Sequence, residues 1–209
     1  MKKTMFSKSG LYSLFTTLFC CALIVSNTMA GKTFALGPIM LPCAVIVFPV
    51  VYIVNDVMAE IYGFKKARAA IFTGFAMNLL ATLFYLAGLA LPAGDPAIGA
   101  AFSVVLGSTP RMLLASFTAY IFGSLLNSYI MTRMKNSGSQ HLMLRCILST
   151  LCGEGLDAII FISIAFYGVL PLTVLGTMIL SQAIFKTAYE IVVYPVTRAI
   201  IRKVEVLHD

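Results

Sequence analysis

Six apolar runs, each long enough to cross a lipid bilayer as a helix, constrain this chain more than any other feature of it. They fall at about 11–30, 41–62, 67–91, 111–133, 145–168 and 172–200. A spanning helix needs about 20 mostly apolar residues, because within hydrocarbon every backbone N–H and C=O must be paired inside the segment. Only 11% of the 209 residues are charged and 60% are hydrophobic, whereas a soluble domain carries about 25% charged residues. The expected fold is an all-α membrane protein: six transmembrane helices in one bundle, forming a single domain over residues 1–209.

Short polar or Gly/Pro-rich joints separate the runs. Gly31 to Pro42 and Leu91 to Pro110 are two of them, Tyr62-Gly63-Phe64-Lys65-Lys66 is a tight basic turn, and Lys135 to His141 is a polar loop. No strand-like alternation competes with helices, and Pro49 is expected to kink the second span. The first run follows Lys2, Lys3 and Lys8 and ends at Thr28-Met29-Ala30, a pattern that secretory leaders share; its length favours a first transmembrane helix.

Cytoplasmic loops of membrane proteins carry an excess of Lys and Arg. With the N-terminus inside, twelve of the fifteen basic residues fall on the inner side: Lys2, Lys3, Lys8; Lys65, Lys66, Arg68; Arg133, Lys135, Arg145; Arg198, Arg202, Lys203. Lys32 and Arg111 lie outside, and Lys186 falls within a span. Both termini are therefore expected in the cytoplasm.

The net charge of +7 does not point to nucleic acid, because the basic residues punctuate apolar runs and form no extended basic surface. Five scattered cysteines with no paired spacing argue against a disulfide framework or a zinc site. Both histidines, His141 and His208, lie outside the spans. No metal, cofactor or catalytic residue is expected.

Ionisable groups inside a bilayer are costly and mark function by default. The second run holds Asp56 and Glu60, the fifth Glu154 and Asp157, the sixth Gln182, Lys186 and Glu190. Asn78 and Asn127 add amides in the third and fourth. Gln182, Lys186 and Glu190, four residues apart, share one helix face, as do Glu154 and Asp157 at i, i+3. One polar cavity between helices is expected to collect these groups, and Tyr52 and Tyr189 lie nearby in sequence as aromatic walls for a planar ligand. The competing structural reading pairs Lys186 with Asp157 or Glu190 as a staple between or along helices, and makes the two asparagines helix–helix contacts.

The run Phe48-Pro49-Val50-Val51-Tyr52-Ile53-Val54-Asn55-Asp56-Val57-Met58-Ala59-Glu60-Ile61-Tyr62-Gly63, with Lys65, Lys66 and Arg68 after it, resembles the queuosine precursor transporter family, formerly a vitamin-uptake-transporter-like group. Later matches follow in order: Pro110-Arg111, Asn127, Arg133 and Lys135, Arg145, Ser149, Asp157 and Phe161, then Lys186, Tyr189, Glu190 and Pro195. Glu154 departs from the pattern, which often has Gln there. The resemblance implies a bacterial transporter of 7-deazaguanines in the inner (plasma) membrane and a six-helix fold like the substrate-binding subunits of energy-coupling-factor vitamin importers. The implied partners are the small-molecule substrate and the lipid bilayer, with no nucleic acid; a homodimer or an energising partner stays open. Two rival readings remain: a binding subunit for another vitamin-like heterocycle working with an ATPase module, and a membrane-embedded enzyme. Against the enzyme stands the lack of a nucleophile–base or metal motif.

Overall fold

The structure, a computed structural model, describes residues 8–37, 39–136 and 142–206; a few side chains within these elements, among them Tyr52, Glu60 and Glu190, lie outside the described residues. The fold is mostly helical. Helix α1 (Lys8–Met29) leads into a hairpin of β1 (Thr33–Leu36) and β2 (Ile39–Pro42), then a 3₁₀ turn (Cys43–Ile46). Helix α2 (Phe48–Leu89), α3 (Pro96–Leu106), α4 (Thr109–Asn136), α5 (Leu142–Phe166) and α6 (Leu172–Val206) follow.

Among the described residues, four stretches are long and apolar enough to cross a membrane: Ser9–Met29, Lys65–Leu89, Pro96–Asn127 and Leu148–Phe166. Three of them coincide with expected runs, and Pro96–Asn127 overlaps the run expected at 111–133 while taking in part of the joint before it. Length and apolarity alone do not qualify the other two. The first part of α2 is short and bears Asp56 and Glu60, and Gln182 and Lys186 dilute the apolar run of α6.

The expectation of an all-α chain needs a correction at the joint after α1. Strands β1 and β2 pair antiparallel, with Thr33 opposite Pro42 and Leu36 opposite Ile39. Gly37 supplies the positive φ (59°) of the tight connection. The hairpin is no surface appendage, since Leu41, Pro42, Cys43, Ala44 and Val45 are buried. Pro49 does not kink a span either. It sits in the first turn of α2, where its missing N–H costs nothing.

The basic turn is a break inside α2. Gly63 adopts φ 77°, ψ 167°, and helix resumes at once on its far side. Tyr12 of α1 donates to the Lys66 carbonyl (3.0 Å) and meets Tyr62 edge-on, and the Lys66 ammonium lies 5.7 Å from each ring. This cluster ties the start of α1 to the break. The joint expected between Leu91 and Pro110 contains α3, capped by Asp95, whose carboxylate accepts from the Ala97 N–H at 2.8 Å.

Helix α5 is the central element: 50% of its apolar span is buried, against 28% or less in the other three. Outward-facing Leu83, Phe84, Val104, Leu172, Leu180 and Val192 are more than half exposed. Water would not tolerate so broad an apolar surface, and lipid does.

Candidate functional site

Three ionisable side chains meet in the protein interior. Lys186 of α6 is 7% exposed, Glu154 and Asp157 of α5 are 8% and 2%. The Lys186 ammonium donates to Asp157 Oδ2 and lies 3.1 Å from Glu154 Oε2. One helical turn separates the two acids, so both project from one face of α5 toward the same cation. The Phe48 ring, from the first turn of α2, lies 4.8 Å from the ammonium. At that distance a ring face attracts the cation further.

Small residues let α5 carry this load. A Cβ on Gly123 of α4 would stand 2.9 Å from the Gly153 carbonyl and 2.9 Å from Asp157 Cβ, and one on Gly153 would stand 2.9 Å from the Gly123 carbonyl. Helices α4 and α5 therefore touch through backbone, as small residues permit in membranes. At the end of this contact Arg111 of α4 donates to the Ile164 carbonyl (2.6 Å) and to the Tyr167 carbonyl. It satisfies acceptors that the end of α5 leaves open.

Beside the ion triad is a small cavity of ≈ 10 Å³, room for about one water. Its walls are Ser26 and Asn27 of α1, Pro42 of the hairpin, Ala44 and Val45 of the 3₁₀ turn, Phe48, Asp157, Phe161, Gln182 and Lys186. Three polar atoms of this wall have no hydrogen-bond partner among the described residues: Asp157 Oδ1, Gln182 Oε1 and the Asn27 amide nitrogen. Each such group costs about 1–3 kcal/mol until something supplies its partner. The wall thus offers two acceptors and one donor between two phenylalanine rings.

Of the residues singled out by sequence, Glu154, Asp157, Gln182 and Lys186 come together here. The expectation of one cavity for all of them is corrected for Asp56, Asn78, Asn127 and Tyr189, which are not in its wall. Asp56 is exposed, because Val51, Val54 and Met58 take the buried face of α2 and Asp56 falls on the opposite side. Asn78 is buried on the stripe of Phe75 and Thr82, away from the cavity, with its amide nitrogen unpartnered among the described residues. Asn127 packs at the α4–α5 crossing, where its Cβ would lie 2.8 Å from a Cβ on Gly153. Tyr189 is half-buried and stacks on Phe185, centroids 6.3 Å apart. Tyr52 and Glu190 fall among the side chains outside the described residues.

Sequence reasoning passes over Asn27 and Tyr120. Asn27 is visible as an amide near the end of an otherwise apolar first run. Tyr120 of α4 is 5% exposed and lies in the electrostatic field of Asp56, Glu154 and Asp157 together. Nothing in its sequence neighbourhood marks it; only the crossing of α4 and α5 brings it to the acids.

Residues 42–200 match the family described as "Putative vitamin uptake transporter". Over 197 residues the chain is 28% identical to the "Probable queuosine precursor transporter" of Bacillus subtilis (strain 168), an overlap of 91% of this chain and 82% of that protein. No solved structure matches. The family match covers every cavity residue from Pro42 onward, and both descriptions are of transporters rather than enzymes. The chain therefore belongs to the vitamin uptake transporter family and is a membrane transport protein, not an enzyme.

Proposed function

We propose that the chain imports a queuosine precursor across the bacterial inner membrane, taking 7-cyano-7-deazaguanine, 7-aminomethyl-7-deazaguanine or queuine. The observation that carries this reading is the cavity wall: a carboxylate oxygen and an amide oxygen awaiting donors, an amide nitrogen awaiting an acceptor, and Phe48 and Phe161 beside them. A deazaguanine edge presents N1–H and 2-amino donors, which Asp157 accepts as a pair. Its ring carbonyl takes the Asn27 amide or the Lys186 ammonium, and its flat ring lies against an aromatic wall. A site built on buried hydrogen bonds discriminates strongly against ligands that lack the matching groups. The relative's name supports the same substrate class.

All six long helical segments, 8–29, 48–62, 64–89, 109–136, 142–166 and 172–206, cross the membrane in this reading, with both termini cytoplasmic. The distribution of Lys and Arg supports that orientation. A cavity with room for about one water does not admit a two-ring heterocycle. Entry therefore requires Lys186 to release at least one carboxylate while the hairpin or α6 moves outward.

Uptake of labelled precursor by a strain that depends on salvage tests the proposal. Expression of the chain restores uptake, and Asp157→Ala with Lys186→Ala abolishes it. Undiminished uptake by the double variant refutes the site; no uptake by the native chain refutes the substrate.

A further inference from the structure

The wall of the cavity holds a donor and an acceptor that do not meet. The Asn27 amide nitrogen, near the end of α1, and Gln182 Oε1, on α6, both belong to it, and neither has a hydrogen-bond partner among the described residues. Both side chains are deeply buried, at 3% and 4% exposure. Two other donors of the wall are turned elsewhere. The Ser26 hydroxyl donates to the Ala44 carbonyl at 3.5 Å, and the Lys186 ammonium reaches Asp157 and Glu154. Buried polar groups are normally bonded, so each exception calls for an explanation.

The position of Gln182 narrows what can pair with it. It stands one helical turn before Lys186 on the same face of α6, the face that meets Asp157. Asp157 Oδ1 shares the wall and is itself without a donor among the described residues. Two acceptors of different kind thus stand together: a carboxylate oxygen, and an uncharged amide oxygen that asks only for one N–H or O–H. A ligand entering here displaces whatever water bridges these atoms, and it loses affinity unless its own groups reproduce those bonds.

We infer that Gln182 is a specificity-determining residue that reads the exocyclic 2-amino group of the substrate; the inference rests on the transport reading above. A 2-amino group carries two hydrogens. In that reading Asp157 accepts N1–H and one of them. The other is directed away from N1, and Gln182 Oε1 accepts it. The Asn27 amide nitrogen supplies the donor for the ring carbonyl, on the opposite side of N1–H. The ring edge then runs carbonyl, N1–H, amino group against Asn27 of α1, Asp157 of α5 and Gln182 of α6, and all three unpartnered atoms gain partners. A ring with hydrogen in place of the amino group leaves Gln182 Oε1 buried and unpaired. A ring with a carbonyl there sets a second acceptor against it. Both kinds of ring are rejected.

Equilibrium binding to the purified full-length chain tests this with two ligands, 7-cyano-7-deazaguanine and its 2-deamino counterpart, and two proteins, native and Gln182→Met. Methionine keeps the length of the side chain and removes the acceptor. The native chain is expected to bind the amino ligand at least about a hundredfold more tightly than the deamino one. Gln182→Met is expected to bind the amino ligand about tenfold more weakly, for the loss of one hydrogen bond, and the deamino ligand no more weakly than the native chain does. Equal weakening of both ligands makes Gln182 a structural residue, and unchanged binding of both makes its partner water only; either result overturns the inference and leaves the transport reading standing. A second measurement needs no variant. The 2-methylamino counterpart keeps N1–H and one amino hydrogen, and the native chain is expected to bind it at least about tenfold more weakly than the parent; equal binding overturns the inference. A native chain that binds none of these ligands overturns both readings.

Discussion

Gly123 and Gly153 face one another across the α4–α5 crossing so closely that a Cβ on either would stand 2.9 Å from the other's carbonyl oxygen. The obstructing atoms are backbone, which cannot swing aside as a long side chain can. The same Cβ on Gly123 would meet Asp157 Cβ at 2.9 Å. Gly123→Ala is therefore expected to lower stability by about 1–3 kcal/mol, the usual cost of overpacking, and to weaken substrate binding by shifting Asp157. Thermal melting in detergent and equilibrium binding measure the two effects. Gly153→Ala is expected to melt early for the same reason, pressing instead on Asn127.

Lys186 holds two buried acids, so its removal should cost more than its own contacts. Lys186→Met takes the shared ammonium away from Glu154 and Asp157, and a loss of about 3–5 kcal/mol is expected. Adding Glu154→Gln and Asp157→Asn to it should restore most of that stability, because no uncompensated charge is then buried. Melting temperatures of the single and triple variants decide the matter. A triple variant no more stable than Lys186→Met would place the penalty in lost packing rather than in charge.

Arg111 acts at a distance from the cavity. Its guanidinium ties the end of α5 by hydrogen bonds to the Ile164 and Tyr167 carbonyls. Arg111→Gln is expected to cost about 2 kcal/mol, the worth of a charge-assisted hydrogen bond, while substrate affinity at low temperature stays within about twofold, since additivity holds for distant sites. The pair of measurements separates a fastening role from a ligand-binding one.

Gly63 is the break on which α2 turns. Its φ of 77° with ψ 167° lies in a region essentially closed to other residues, and nothing lies within 4 Å of a Cβ placed there. The cost of Gly63→Ala is accordingly conformational and amounts to about 1–3 kcal/mol. Gly155, in α5, also has open space where a methyl group would stand, but its backbone is helical. Gly155→Ala should be neutral or stabilising by up to about 1 kcal/mol. Side-by-side melting curves check the contrast.

The apolar runs make the helices readable, because hydrocarbon imposes one way of pairing the backbone on any long segment. Apolarity does not reveal the hairpin, although its signal is present: Thr33-Phe34-Ala35-Leu36 and Ile39-Met40-Leu41-Pro42 flank a two-residue Gly37-Pro38 connection. Helix α3 hides in a Gly/Pro-rich joint, yet Asp95-Pro96 is an N-cap followed by a first-turn proline. At the site, Glu154, Asp157, Gln182 and Lys186 are legible as polar groups sharing helix faces. Which face turns inward is not legible for Asp56, and which neighbour crosses at Asn127 is not legible either. Asn27 and Tyr120 reach the acids through tertiary packing, which spacing along one helix does not reveal.

The most direct measurement of the central claim is a thermal-shift panel on purified protein with queuine, 7-cyano- and 7-aminomethyl-7-deazaguanine, guanine and adenine. A ligand that binds only the folded state raises its melting temperature in proportion to RT ln(1 + [L]/Kd). The expected result is a clear rise with at least one deazaguanine, none with adenine, which lacks the N1–H and 2-amino donor pair, and none with any ligand in the Asp157→Ala, Lys186→Ala variant. No rise with any deazaguanine, or an equal rise in that variant, would contradict the claim that the Asp157–Lys186 cavity is the queuosine-precursor site.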